Sequence, residues 1–357
     1  MAEYAHLSEI DPELAPLLAA VPKAPTDIPI EQIRAGFVGV YKELEKKYEP
    51  FLPPRHEYTV TDHDIDVGDG VTVRARSVVP TPRDGEDGTF PLLFWIHGGG
   101  FVMGNLHLDD YRLRIASHKL RIATVNCEYR CVKAKFMFVA KILISFKIID
   151  SLAPEHPFPA AVDDTFTGLK FVASHPEKFS ASLQKGFIVG GSSAGGNLAA
   201  VLAHLARDDA FFKDKPVTGQ LLHIPPVIHY DAVPEKYKSS LLSLEQNKDA
   251  PTLGKEHLIT MMSLYKPPPT DTRISPLLLE SHKGLPAAYL QVCGLDPLRD
   301  EGLLYEKVLK EAGVPTKLDV YPGVPHGFEG YFFDIKQAAK LREDFHVGLQ
   351  WLLEQKA

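Results

Sequence analysis

The chain has 357 residues, of which 45% are apolar and 24% charged, an ordinary globular composition that excludes a disordered, collagen-like or coiled-coil protein. Its 39 Lys and Arg against 46 Asp and Glu leave a net charge of −7, too acidic for a general phosphate-backbone binder, so no nucleic-acid partner is expected. The cysteines, Cys127, Cys131 and Cys293, are too sparse for a disulfide scaffold, lack zinc spacing, and suit a reducing compartment.

The N-terminus, Met1 to His6 followed by Asp11 and Glu13, carries no basic-then-apolar leader. The most apolar stretch, Cys131 to Ile149, is broken by Lys133, Lys135, Lys141 and Lys147, well short of the ~18 unbroken apolar residues of a span. These features predict a cytoplasmic chain without stable membrane insertion. Residues 1–55 hold Pro16, Pro22, Pro25 and Pro29 around short helical patterns, and Ile33, Phe37, Val40, Tyr41 and Leu44 recur at helical spacing within Ile30 to Lys47. This reads as a helical N-terminal extension ahead of one enlarged domain at 56–357.

From Tyr58 the apolar residues alternate, first through Asp66 and then from Val71 to Val78, and Gly68-Asp69-Gly70 joins the runs as a hairpin. Beyond a Pro/Gly/Asp-rich break, strand-like runs follow at Pro91–Ile96, Ile122–Glu128, Gly186–Val189, Gln220–Ile224, Ala287–Cys293 and Lys317–Tyr321. Helical patterns lie at Leu106–Lys119, Ala161–Ser174, Gly196–Ala206, Glu301–Ala312 and Asp334–Leu353. Such alternation predicts an α/β fold, a mostly parallel sheet with helices on both faces.

Four segments carry chemistry. Gly191-Ser192-Ser193-Ala194-Gly195 is a G-x-S-x-G run between a buried strand and a helix, the context in which a sharp turn exposes the central hydroxyl at a helix N-terminus. Ser193 is the candidate nucleophile and Ser192 the competing hydroxyl. At the end of another strand, His97-Gly98-Gly99-Gly100 leaves backbone N–H groups unshielded, as an oxyanion hole requires. Gly98 and Gly99 are its expected donors, with Ala194 as the third. A phosphate loop is the alternative, but the spacing matches neither dinucleotide nor P-loop patterns.

A serine needs a base, and the base a carboxylate, later in the chain. His326, in Val324-Pro325-His326-Gly327-Phe328 directly after a strand, is the candidate base; His346 lies inside the C-terminal helix pattern. Asp296 is nearest the end of its strand, whereas Asp300 and Glu301 open the next helix, where carboxylates often serve as caps.

Together, His97-Gly98-Gly99-Gly100, Gly191 to Gly196, Asp296-Pro297-Leu298-Arg299-Asp300 and His326-Gly327-Phe328 resemble the hormone-sensitive-lipase-like branch of α/β-hydrolase esterases, from about Tyr58 to the C-terminus. The resemblance implies an eight-stranded sheet, no cofactor or metal, and a cap built from the N-terminal extension plus roughly 225–276. It implies Ser193 as nucleophile, Asp296 as acid, His326 as base, and Gly98, Gly99 and Ala194 as oxyanion donors. The expected function is a serine carboxylesterase acting on short- to medium-chain esters of small molecules, with a homodimer left open. A non-catalytic small-molecule receptor on the same fold is the alternative.

Two departures stand out. The family commonly has aspartate where this chain has Ser192. It also runs from Tyr129-Arg130 directly into Leu152-Ala153-Pro154-Glu155-His156-Pro157, yet here 131–151 intervenes, with four Lys and one Asp in a chain otherwise acidic. A basic amphipathic helix, a surface loop and a retained intron compete to explain it. The lysines point in several directions at ~100° per residue, which weakens the first. Removal would restore the family's run, which favours an intron, and an inactive product of a retained intron is a further alternative to the esterase.

Overall fold

A computed structural model describes residues 3–19, 30–68, 70–130 and 156–355. The 131–151 segment therefore lies outside the described residues. The strands are β1 (Tyr58–Gly68), β2 (Val71–Pro80), β3 (Leu92–Ile96), β4 (Ala123–Cys127), β5 (Phe187–Ser192), β6 (Gly219–His223), β7 (Ala287–Cys293) and β8 (Thr316–Tyr321). They form an eight-stranded sheet in the order β1-β2-β4-β3-β5-β6-β7-β8. The β1–β2 and β2–β4 pairs are antiparallel and the rest parallel. The α-helices among the described residues are α1 (Ala15–Ala19), α2 (Ile30–Tyr48), α3 (Asp110–Leu120), α4 (Ala160–Ser174), α5 (Ala194–Asp208), α6 (Ser243–Gln246), α7 (Lys255–Tyr265), α8 (Arg299–Glu311) and α9 (Lys336–Glu354).

Both faces of the central strands are buried, which is why they read as continuous apolar runs. Leu92, Phe94 and Ile96 of β3 pack with residues of α4 and α5, while Leu93 and Trp95 pack with Leu113 of α3 and Phe345 and Leu349 of α9. Burying a Leu or Phe side chain contributes about 1.5–3 kcal/mol each, so the two layers are the main source of stability. Because β3 continues toward β4 on one side and β5 toward β6 on the other, the crevice outside their C-terminal ends is a topological switch point.

One predicted boundary is corrected. The Leu106–Lys119 pattern forms a helix only from Asp110, because its first residues are held by other partners. Asn126 donates to the Leu106 carbonyl (3.0 Å), the Asn105 side chain accepts the His107 N–H (2.9 Å), and Asp109 accepts the Trp95 indole N–H (2.8 Å). Among the described residues no helix is long and apolar enough to cross a membrane.

Candidate active site

Ser193 sits between β5 and α5 with φ 53° and ψ −116°, a conformation that a non-glycine residue adopts only when its surroundings impose it. The surroundings are tight. A Cβ on Gly195 would lie 2.0 Å from the Ile96 carbonyl oxygen, and one on Gly191 would lie 2.2 Å from the Gly195 carbonyl oxygen. The glycines therefore let β3, β5 and the start of α5 meet at one point. The Ser193 N–H donates to the carbonyl of His223 on β6 (2.8 Å).

His326 and Asp296 arrive from the loops after β8 and β7. His326 Nδ1 lies 2.7 Å from Asp296 Oδ2, and Nε2 lies 2.8 Å from Ser193 Oγ. A carboxylate only accepts, so Nδ1 carries the proton, and in the neutral ring Nε2 is left to accept the serine hydroxyl. Asp296 is buried and its other oxygen accepts the Leu298 N–H (2.8 Å). The three residues singled out in the sequence thus form one hydrogen-bonded chain.

The competitors are placed elsewhere. Asp300 Oδ2 accepts the Leu242 and Ser243 N–H groups (both 2.8 Å), and Glu301 accepts those of Val227 and Ile228 (2.7 and 3.0 Å). His346 is buried on α9. Ser192 ends β5, one residue ahead of the turn.

The glycine run lies against the serine: a Cβ on Gly98 would come 2.9 Å from the Ser192 carbonyl oxygen and 3.4 Å from Ser193 Cβ. His97 is fully buried, stacked on Tyr129 with ring centroids 4.5 Å apart. Burial pushes the His97 pKa down, so the ring is neutral. Its Nδ1–H donates to the Gly98 carbonyl (2.8 Å). In a planar trans peptide, fixing that oxygen fixes the Gly99 N–H on the opposite side. Ala194 opens α5, where the first N–H groups lack intrahelical partners.

Sequence reading missed a buried polar group beneath the site. Glu329 Oε1 accepts from His223 Nε2 (2.9 Å) and Arg112 (3.0 Å), linking the His326 loop to the strand whose carbonyl holds Ser193. Burial would raise the Glu329 pKa, but His223 and Arg112 more than offset it and hold the carboxyl well below its usual range. Glu329 follows His326 by three residues, but nothing local names its partners. A groove of about 530 Å³ lined by Tyr4, Leu7, Leu303 and Lys307 includes none of these groups.

A mostly parallel sheet whose central strand turns into a helix through a strained serine, with a histidine and a buried aspartate hydrogen-bonded in series behind it, is the arrangement of the α/β hydrolases. A family model described as alpha/beta hydrolase fold matches residues 148–330, and the chain belongs to that family, in its hormone-sensitive-lipase-like branch. It is 35% identical over 351 residues to AB hydrolase superfamily protein B1A11.02 of Schizosaccharomyces pombe, covering 97% of this chain and 94% of the relative. It is 32% identical over 331 residues to the versiconal hemiacetal acetate esterase of Dothistroma septosporum, covering 91% and 89% of the two chains. Among solved structures, vibralactone cyclase matches with a TM-score of 0.89 at 41% identity, over 98% of this chain and 97% of that one.

Proposed function

We propose that the chain is a serine carboxylesterase that hydrolyses short- to medium-chain acyl esters of small molecules through an acyl-enzyme on Ser193. The observation that carries this reading is the Ser193–His326–Asp296 hydrogen-bonded series, 2.8 and 2.7 Å long, at the N-terminus of α5. Similarity to an acetate esterase supports it.

The mechanism follows from which atoms can move a proton. Ser193 Oγ attacks the ester carbonyl while His326 Nε2 takes its proton. The oxyanion is met by the N–H groups of Gly98, Gly99 and Ala194. The tetrahedral intermediate collapses as His326 returns the proton to the leaving alkoxide, giving the alcohol and the acyl-serine. Water then repeats the sequence, with His326 as base and Ser193 as leaving group, releasing the acid. Asp296 holds the ring tautomer and stabilises the imidazolium of each transition state.

The described residues within 1–55, with about 225–276, act as the cap. Arg34 of α2 donates to the Val102 carbonyl (2.9 Å), just beyond the glycine run. Met261 of α7 sits on that run, since a Cβ on Gly100 would lie 2.1 Å from its sulfur. Phe101 stacks on Tyr265 with centroids 4.3 Å apart. An apolar wall this close to the glycines suits a short acyl chain.

The test is a panel of p-nitrophenyl esters from acetate to palmitate, together with organophosphonate labelling. Acetate to hexanoate should be preferred; Ser193→Ala should abolish turnover and labelling, while Ser192→Ala keeps most of both. Label on Ser192, or full turnover by Ser193→Ala, would sink the assignment. A second reading is favoured by the 41% identity to vibralactone cyclase: a hydroxyl of the bound acyl group, instead of water, displaces Ser193 and closes a lactone. In that case the ester panel gives a single-equivalent burst of p-nitrophenol with little turnover.

A further inference from the structure

The 225–276 segment reaches the acid and the base through their main chains. Next to Asp296, Ser243 at the start of α6 donates its hydroxyl to the Pro297 carbonyl (2.7 Å). Asn247, buried just past α6, donates its side-chain N–H to the Asp296 carbonyl (2.9 Å) and more weakly to that of Gly294 (3.4 Å). Five residues on, Thr252 Oγ1 donates to the His326 carbonyl (2.6 Å). The stretch from Asn247 to Thr252 therefore grips both members of the His326–Asp296 pair, which come from two separate loops of the sheet edge.

Thr252 has a second distinguishing feature. Its φ is 70°, in the left-handed region that a β-branched side chain avoids. The turn is a tight one, closed by the Leu253 N–H on the Pro251 carbonyl (2.9 Å), of a kind that is rare and strained. Leu253 anchors it by packing with Leu258 and Leu298, the latter two residues beyond Asp296. Glycine would make the same turn without strain. What threonine adds is the hydroxyl, and that hydroxyl is on the His326 carbonyl.

We propose that Asn247 and Thr252 are positioning residues for the His326–Asp296 pair. They fix the separation of the two loops, and so the Nδ1–Oδ2 hydrogen bond, without touching substrate. The 225–276 segment is then part of the frame that aligns the base as well as a wall of the pocket. This rests on the reading of His326 as base and Asp296 as its partner.

Thr252→Gly separates alignment from stability, because it removes the hydroxyl while relieving the strain. The variant should melt at or above the wild-type temperature, yet lose about tenfold in kcat with KM within about twofold, the signature of a small misplacement of reacting groups. The downfield proton resonance of the His326–Asp296 hydrogen bond should move or broaden. Thr252→Ser keeps the hydroxyl and should restore kcat and the resonance. Asn247→Ala, if it folds, should lower kcat further when combined with Thr252→Gly. Full kcat and an unmoved resonance in Thr252→Gly would overturn the proposal, as would a Thr252→Ser variant as impaired as the glycine one. Failure of the underlying reading looks different: His326→Ala would itself retain turnover.

Discussion

His97 illustrates how one side chain decides what a loop of glycines can do. Three glycines in series would sample many backbone conformations, so their N–H groups would not stay aimed at one place. His97, buried and neutral, removes that freedom by holding the Gly98 carbonyl at 2.8 Å while its own carbonyl accepts from the Tyr129 hydroxyl at 3.3 Å. His97→Ala should therefore lower kcat by between about ten- and a hundredfold with a small change in KM, less than the ~3 kcal/mol that outright loss of an oxyanion donor costs. Steady-state kinetics on p-nitrophenyl acetate measures this, and an unchanged kcat would show that the glycine run is ordered without the histidine. The motif was legible as spacing, but the direction of the imidazole was not, because its stacking partner Tyr129 is 32 residues away.

At the scale of elements, the 225–276 segment is pinned where it leaves and rejoins the sheet. Asn197 of α5, four residues after Ser193, donates to the carbonyls of Pro226 (2.9 Å) and Ile274 (2.8 Å). Glu301 of α8 accepts the N–H groups of Val227 and Ile228, and its burial pushes its pKa up to about 8 in spite of those donors. The unfolded chain releases this proton near the ordinary ~4.3 of a glutamate. A raised folded-state value favours the protonated native form, so the contribution is full below ~4.3 and is lost as pH rises toward 8. Glu301→Gln keeps an oxygen for the two donors and cannot ionise. Its melting temperature should fall less than that of the wild type between pH 5 and 8.5, and the stability difference should grow by at most roughly 1.4 kcal/mol for each pH unit in that window. Parallel pH–melting curves for the two proteins would disprove the argument.

For the molecule as a whole, the 131–151 segment interrupts the family's run between Arg130 and Leu152. Its described flanks are firmly held. The Arg130 N–H and guanidinium grip the fully buried Asp164 of α4 at 2.7–2.9 Å, and the Phe158 N–H donates to the Tyr265 carbonyl at 2.8 Å. Fourteen of the 21 intervening residues are apolar, and Phe136 to Ala140 and Ile142 to Phe146 include β-prone runs, an aggregation liability wherever such runs are exposed. Joining Arg130 to Leu152 restores the family's uninterrupted pattern. The shortened chain should give more soluble protein and higher esterase activity, and transcripts should include a spliced form lacking the segment. A shortened chain that melts lower and turns over more slowly, with no such transcript, would establish the segment as an integral part of the fold.

The strand runs of the sheet, the turn that carries Ser193 and the chain order of Ser193, Asp296 and His326 are all legible in the sequence. Each is written in local pattern: continuous apolar runs for strands buried on both faces, helical periodicity for what covers them, and glycines at Gly191 and Gly195 where a Cβ would strike backbone. The sequence also places β7 at Ala287–Cys293 without error, since that strand is apolar but for Gln291 and is bounded by Pro286 and Gly294. It could not decide where α3 begins, because hydrogen bonds from Trp95 and Asn126 displace the helical pattern. Nor could it find Glu329 beneath His223 or Asn247 and Thr252 behind the Asp296 and His326 carbonyls. Those contacts join residues tens of positions apart, and several are made to main-chain carbonyls, which every residue possesses. Periodicity records burial and spacing records turns, but only the folded chain determines which donor meets which carbonyl.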